Sequence, residues 1–351
     1  MIKSIGFKNF KGFTDLSLDD LKMITLISGM NNAGKSSVLD GLFLFMDHTS
    51  PDVFQKLNLF RGIMNQPLFP RIWEVLFKGM DVNQEMSISI DDGELVTLRY
   101  SKDTMYTPAN SDFPENLANA FINAAKKDYS LKFSYTRENY NEKGHFIVSP
   151  NGFSVNIHTN LPNNEKRPDT YTRYINHITS SNESDIISQF SQLDLENKKS
   201  YIIDILKTID PRIKDIKVLS PNGFNQLYIS IEEDVLPLKL AGDGMCRLLS
   251  IILGVMTAKQ GLVLIDEIET GFHYTRYPYI WKAIYQAAKS SEAQVIATTH
   301  SYECIQGSTE GIVDDEAFAY IRLDREVANV KAKYYSRLLL KAALDADVEV
   351  R

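Results

Sequence analysis

Cysteine is scarce: Cys246 and Cys304 are the only two in 351 residues. Two thiols cannot build a disulfide framework. Both sit among apolar neighbours, which suits a reducing cytoplasm. A basic surplus is missing as well. Lys and Arg number 38 against 45 Asp and Glu, for a net charge of −7. A free-standing nucleic-acid binder usually carries excess cations, so this balance argues against autonomous DNA binding while leaving room for a local basic groove. No uninterrupted apolar run reaches transmembrane length and no secretory leader is visible, so neither a membrane nor export is expected. Internal repeats, a low-complexity tail and a sustained heptad are also lacking, which excludes a solenoid and a long coiled coil. What is present is ordinary for a chain with a sizeable core: 44% apolar and 24% charged residues. The length suits one large domain or two modest ones.

The clearest chemistry lies in Gly29-Met30-Asn31-Asn32-Ala33-Gly34-Lys35-Ser36. It meets the phosphate-binding pattern G-x-x-x-x-G-K-[ST] at every fixed position. Before it, Met23-Ile24-Thr25-Leu26-Ile27 is apolar and β-branched, as a buried strand should be. After it, residues 37–46 have helical length and apolar density. Strand, glycine-rich turn and helix together let backbone N–H groups converge on phosphate oxygens at a helix start. Gly29, Asn31, Asn32, Ala33, Gly34, Lys35, Ser36 and Ser37 are therefore the candidates for binding a nucleotide's phosphates. Lys35 reaches the β and γ phosphates in this reading, and the Ser36 hydroxyl ligates Mg²⁺.

Elsewhere the patterns predict strands over 2–7 and 16–21, a hairpin over 86–90 and 95–100, and strands over 131–135, 145–148, 215–219 and 226–231. Helices are expected over 115–127, 184–195 and 197–208. The last third predicts a helix over 244–258, strands over 261–265 and 294–298, a helix over 277–290, a closing hairpin over 317–323 and 330–335, and a helix over 336–345. Residues 101–199 are polar, Asn-rich and punctuated by proline, and give no functional signal.

Two apolar strands end in reactive residues. Leu262-Val263-Leu264-Ile265 runs into Asp266-Glu267, and ligands of α/β sheets bind at such carboxyl ends. Asp266 is read as holding Mg²⁺ and Glu267 as polarising the attacking water. Ala297-Thr298-Thr299 runs into His300, placed to sense a γ-phosphate. Gly242-Asp243-Gly244 stands at the mouth of an apolar helix, either as an anion site or with Asp243 as a plain helix cap.

In this order, with Glu269-Thr270-Gly271-Phe272-His273 after the acids, the motifs resemble the ATP-binding-cassette ATPase heads. Within them the chain is similar to the branch containing RecF, the SMC proteins and the OLD-family ATPases, including AAA-family ATP-binding proteins of bacterial anti-phage defence. Asn9-Phe10-Lys11-Gly12-Phe13 and Leu206-Lys207-Thr208-Ile209-Asp210-Pro211 add to that likeness. The resemblance implies an α/β P-loop NTPase head with a mixed central sheet, flanking helices, an N-terminal antiparallel β region and an α+β insert. It implies an N-terminal lobe over 1–100, an insert over 101–212 and a C-terminal lobe over 213–351. It further implies a head-to-tail homodimer with ATP sandwiched between subunits. Gly242, Asp243 and Gly244 of one copy close on the γ-phosphate held by the other. Residues 269–273 match the D-loop and His300 the switch histidine. Lys11 falls where the branch places a basic residue near the nucleotide. The usual signature serine is absent, and no Q-loop glutamine is assigned.

The expectation is thus a cytoplasmic Mg²⁺-dependent ATPase, with Glu267, His300 and Lys35 as catalytic residues and Ser36 and Asp266 as metal ligands. As a stand-alone head it resembles the ATPase subunits that regulate a separate nuclease or toxin, of TOPRIM or HNH type. The alternatives are a RecF-like repair ATPase that grips DNA directly and an ATP-binding scaffold with little hydrolysis.

Overall fold

The computed structural model describes residues 1–50, 52–62, 73–91, 93–101, 130–137, 140–149, 152–159, 171–179, 182–326 and 329–351. The first third contains β1 (Ile5–Phe10), β2 (Phe13–Leu18), β3 (Ile24–Gly29), α1 (Lys35–Met46), α2 (Val53–Phe60), β4 (Met86–Ile90) and β5 (Glu94–Ser101). Next come β6 (Ser130–Arg137), β7 (Tyr140–Ser149), β8 (Gly152–Thr159), β9 (Thr172–Ile175), α3 (Glu183–Leu195), α4 (Lys199–Lys207), β10 (Ile213–Leu219), β11 (Gln226–Ile231) and β12 (Asp234–Pro237). The remainder is α5 (Asp243–Thr257), β13 (Leu262–Ile265), α6 (Tyr277–Ser291), β14 (Gln294–Thr298), α7 (Tyr302–Gly311), β15 (Phe318–Arg325), β16 (Val330–Tyr335) and α8 (Arg337–Asp345).

Among the described residues the strands form three sheets, ordered β2-β1-β4-β5-β6-β7-β8, β10-β11-β12 and β16-β15-β3-β14-β13-β9. In the third sheet β9, β13, β14, β3 and β15 run parallel, and β16 closes the edge antiparallel. β3, β13 and β14 are buried at every position, which is why they read as continuous apolar runs. The register pairs Leu26 with Ala297 and Ala297 with Ile265. The carboxyl ends of β3, β14 and β13 therefore lie side by side.

Two cores flank this sheet. Ile24 and Leu26 enter one with α3, α4, α5, α6 and the small antiparallel sheet, whereas Ile27 enters the other with α1, α2 and the large antiparallel sheet. Alternation along a single strand thus holds both layers together.

Several elements depart from the sequence expectation. β9 lies in the polar stretch yet extends the central sheet, pairing Leu264 with Tyr174. It is four residues long, too short to show a period. β8, β12, α2 and α7 were likewise unexpected. α7 carries Gly307 and Gly311, which lower helix propensity, but a Cβ on Gly307 would lie 2.5 Å from Tyr277 Cβ and one on Gly311 2.3 Å from the Pro278 carbonyl. The glycines let α7 approach α6. Asp243 does not cap α5 with its side chain; Gly242, at φ 104°, is the N-cap. The helix expected over 115–127 lies outside the described residues. No helix among the described residues is long and apolar enough to cross a membrane.

Trp281 is fully buried, and its Nε1–H donates to the Cys304 carbonyl at 3.1 Å, joining α6 to α7. Trp281→Ala is expected to cost about 3–5 kcal/mol. Trp281→Phe, which keeps most of the packing but removes that bond from a carbonyl still paired within α7, should cost about 0.5–1.5 kcal/mol. Denaturant midpoints of the two variants check this order.

Candidate nucleotide site

The loop after β3 is held in its shape by contacts from both chain ends. Gly29 turns at φ 143°, where a Cβ would sit 2.4 Å from the Leu323 carbonyl of β15. Gly34, at φ 98°, caps α1, and a Cβ there would lie 2.5 Å from Phe13 Cε1. The N-terminal hairpin thus packs its Phe13 ring directly on the loop. Arg325 donates to the Asn32 carbonyl at 2.9 Å, and Asn32 itself takes a left-handed φ of 64°.

A cavity of about 600 Å³ opens over this loop. Its lining comprises Lys11, Asn31, Asn32, Gly34, Lys35, Ser36, Ser37, Asp40, Arg61 and Glu267. Lys35 folds back so that its Nζ donates to the carbonyls of Gly29 at 2.7 Å and Met30 at 3.2 Å. Burial pulls its ammonium below the usual lysine value and outweighs the opposing pull of Glu269, Asp266 and Glu267. The α1 start therefore offers an under-compensated cation beside free backbone donors, a setting for phosphate.

Asp266, just beyond β13 and 7% exposed, collects donors from four elements. Ser36 Oγ donates to Oδ1 at 2.9 Å and Thr298 Oγ1 to the same oxygen at 2.7 Å. Arg61 Nη1 reaches Oδ2 at 3.2 Å and the Tyr174 hydroxyl reaches it at 3.3 Å. Asp40, on α1 and 1% exposed, is a second hub. It accepts from Lys11 Nζ and from Arg61 Nη2 at 2.6 Å, and it shares the one Tyr174 hydroxyl proton with Asp266, at 3.3 Å from each. Burial works against the Arg61 charge, but Asp40, supported by Asp266, raises that guanidinium above its ordinary value. Burial, then Asp40 and Asp266, pushes the Tyr174 phenol well up, so it stays a proton donor. The Phe60 ring stacks on Tyr174 with centroids 4.3 Å apart, which sets Arg61 at the end of α2.

The oxygens present fit Mg²⁺. Among the described residues no three His, Cys, Asp or Glu side chains gather as an all-protein metal site. A hydroxyl and one carboxylate, completed by phosphate and water, are what this ion accepts. Ser36 and Asp266 provide that pair, already 2.9 Å apart.

Glu267 follows at a left-handed φ of 49°, a conformation that costs a non-glycine residue about 1–3 kcal/mol and recurs at functional sites. Its N–H bonds Thr298 Oγ1 at 2.9 Å, and its carboxylate is exposed to the cavity. Arg247 of α5 donates to the carbonyls of Asp266 at 3.0 Å and Glu267 at 2.8 Å. His300 stands beyond β14 with its ring half exposed, bonded to Glu269 and not to any residue of the phosphate loop. Gly242 and Asp243 are exposed, and neither they nor Gly244 line the cavity of their own chain. Gly244 packs on Gly271, where a Cβ would come within 2.7 Å of the carbonyl. Asp243 lines a separate cavity of about 440 Å³ with Cys246, Arg247, Thr270 and Gly271.

The loop residues, Lys11, Asp266 and Glu267 thus converge, whereas neither His300 nor 242–244 lines the cavity. Asp40, Arg61 and Tyr174 escaped the sequence reading. Asp40 carried a usable signal, one helical turn after Ser36 on the same face. Arg61 and Tyr174 carried none, because their partners lie 205 and 92 residues away at Asp266.

Asp40→Ala leaves Lys11 without its anion and Arg61 with Asp266 alone, and is expected to destabilise the fold by about 1–3 kcal/mol. Arg61→Ala should cost less, because its side chain is 35% exposed. Urea unfolding of both variants measures the difference.

Against this geometry the likenesses to known proteins can be set. The family described as "AAA domain, putative AbiEii toxin, Type IV TA system" matches residues 24–305. An ATP/GTP phosphatase of Helicobacter pylori is 23% identical over 348 residues, spanning 91% of this chain and 90% of that protein. An uncharacterized protein of Methanocaldococcus jannaschii is 40% identical over 73 residues, which are 21% of this chain and 31% of its own length. Among solved structures, an SMC head bound to the C-winged helix domain of ScpA gives a TM-score of 0.50 at 13% identity, covering 95% of this chain and 98% of that one. An SMC head with an extended coiled coil, bound to the C-terminal domain of ScpA derived from Pyrococcus furiosus, gives 0.51 at 12% identity and covers 99% of both chains. These two speak to the fold alone, that of an ABC-type ATPase head. Phosphate loop, strand-end acids and family match coincide, and the chain belongs to this AAA-domain family of ATPase heads.

Proposed function

We propose that the chain is a Mg²⁺-dependent ATP hydrolase that acts as an ATP-sandwiched homodimer and regulates a separate effector, a nuclease or toxin, in bacterial anti-phage defence. The observation that carries the hydrolase reading is the Ser36–Asp266 contact at 2.9 Å, in a cavity that also presents Lys35 and Glu267. In this reading Lys35 exchanges its carbonyl partners for the β and γ phosphates, and the backbone donors of 31–34 enclose them. Ser36 and Asp266 would hold Mg²⁺, which supplies neutralising charge between the phosphates. Glu267, exposed and unburdened by an ion pair in its own turn, accepts the proton of the attacking water. Lys11 and Arg61, both tethered to Asp40, add positive charge at the rim.

The dimer is supported by what the single chain leaves outward. Gly242 and Asp243 are exposed, as are Leu240 at 76% and Met30 at 74%. A head-to-tail pairing puts the first group of one copy over the phosphate loop of the other, and His300 then meets the γ-phosphate. A role beside a second protein is supported by the family's description, which names a putative toxin of a type IV TA system and so a two-component arrangement.

Purified chain is expected to turn over ATP, with Lys35→Ala falling at least about 100-fold and Glu267→Gln about 100–1000-fold. Glu267→Gln turnover equal to wild type contradicts the assignment. Pull-down of that variant from the native host should bring a nuclease or toxin; DNA alone, with salt-dependent and ATP-stimulated duplex binding, favours the RecF-like alternative.

Nucleotide binding should also depend on pH through Lys35. Its ammonium is held below 10.5 in the free chain, and phosphate draws it back up. The complex then binds more protons than the free chain in that window, so affinity falls as pH rises through it. Titrations of a non-hydrolysable analogue across the alkaline range measure this slope, and Lys35→Ala should flatten it.

A further inference from the structure

We infer that Glu269 is a positioning residue for this site: a buried carboxylate that fixes the His300 ring so that Nε2 is the nitrogen presented to the nucleotide. The inference rests on the proposed hydrolysis for its kinetic consequence and on the structure alone for its geometry. His300 sits in the loop after β14 with its side chain 53% exposed, a setting in which an imidazole ordinarily samples several orientations. Here one oxygen holds both its ring and its backbone. Glu269 Oε1 accepts from His300 Nδ1–H at 2.7 Å and from His300 N–H at 2.9 Å.

Glu269 is itself immobilised. It is 8% exposed, its turn is tied to β14 by the Ile268 N–H on the Thr298 carbonyl at 3.0 Å, and its own carbonyl accepts from Phe272 N at 3.2 Å. Its other oxygen, Oε2, is buried without a hydrogen-bond partner among the described residues. A buried carboxylate oxygen in that state is rare, and it leaves one acceptor of Glu269 unused by the described residues.

The bond made by one ring nitrogen decides what the other can do. With Nδ1–H given to Glu269, Nε2 can meet a phosphate oxygen only when it carries its own proton. A glutamate three residues beyond the metal-binding Asp266 thereby couples the D-loop segment to the switch histidine within one chain.

The test uses full-length chain and the variants Glu269→Ala, Glu269→Gln, Glu269→Asp, His300→Asn and Glu269→Ala/His300→Asn. Side-chain ¹⁵N spectra of the six histidines, with His300 assigned by its loss in His300→Asn, report the ring without any turnover. The Nδ1–H signature should persist in wild type and Glu269→Gln and vanish in Glu269→Ala. Glu269→Asp, which keeps the charge but withdraws the oxygen, should also lose it, so the test survives if Glu269→Ala fails to fold. In ATP turnover, Glu269→Ala should lose about 10–100-fold in kcat with KM little changed, as for other groups that orient a functional histidine. Glu269→Gln should recover most of it, and the double variant should be no slower than His300→Asn. A His300 spectrum indifferent to position 269, or losses that multiply in the double variant, overturns the inference. Absence of turnover in wild type overturns the hydrolase reading instead, and the spectra still decide the pairing.

Discussion

The carboxylate of Asp266 is the contact on which the arrangement of the chain depends. A buried carboxylate is tolerated only when its lone pairs are filled. Ser36 from α1, Thr298 from β14, Tyr174 from β9 and Arg61 from the end of α2 fill them. Each donor comes from a different stretch of sequence, so satisfying one anion fixes the first helix, two strands of the central sheet and a helix end relative to one another. The parallel register of β3, β14 and β13 makes this geometrically feasible, because it sets their carboxyl ends in one row. The same convergence creates the cavity.

Around that hub the chain holds charge unevenly. Lys35 is desolvated against carbonyls, whereas Lys11 and Arg61 are held by Asp40. One cation is therefore free to exchange partners, and two are anchored at the rim. The acids are divided in the same way. Asp266 and Asp40 are saturated with donors, Glu267 is exposed, and Glu269 keeps one oxygen occupied and one open. Arg247 then ties the backbone of the acidic turn to α5, the helix that the Gly242-Asp243-Gly244 segment opens.

Most of the residues that line the cavity could be read from the sequence because their determinants are local. The phosphate loop is one contiguous pattern, and β13 and β14 announce themselves as apolar runs ending in Asp266-Glu267 and His300. The two phenylalanines of the opening motif found their reason in space: Phe13 packs on Gly34, twenty-one positions later in the chain, and Phe10 on Gly41 of α1. The rest was hidden by distance. Tyr174 sits on a four-residue strand inside a polar stretch, and Arg61 ends a short helix in a segment of mixed aromatics. Neither acquires a function until Asp266 and Asp40 are beside it. The Glu269–His300 bond spans 31 residues, and two motifs that each looked self-sufficient turn out to share one oxygen atom.

The central claim is that the chain completes its site with a second copy of itself around ATP. Light scattering of the Glu267→Gln variant, with and without ATP and Mg²⁺, tests this most directly. The account predicts that the mass doubles on adding ATP and returns when ATP is removed, and that Lys35→Ala stays monomeric throughout. A mass indifferent to ATP would contradict it and leave the outward-facing Gly242-Asp243-Gly244 segment without a role in the reaction.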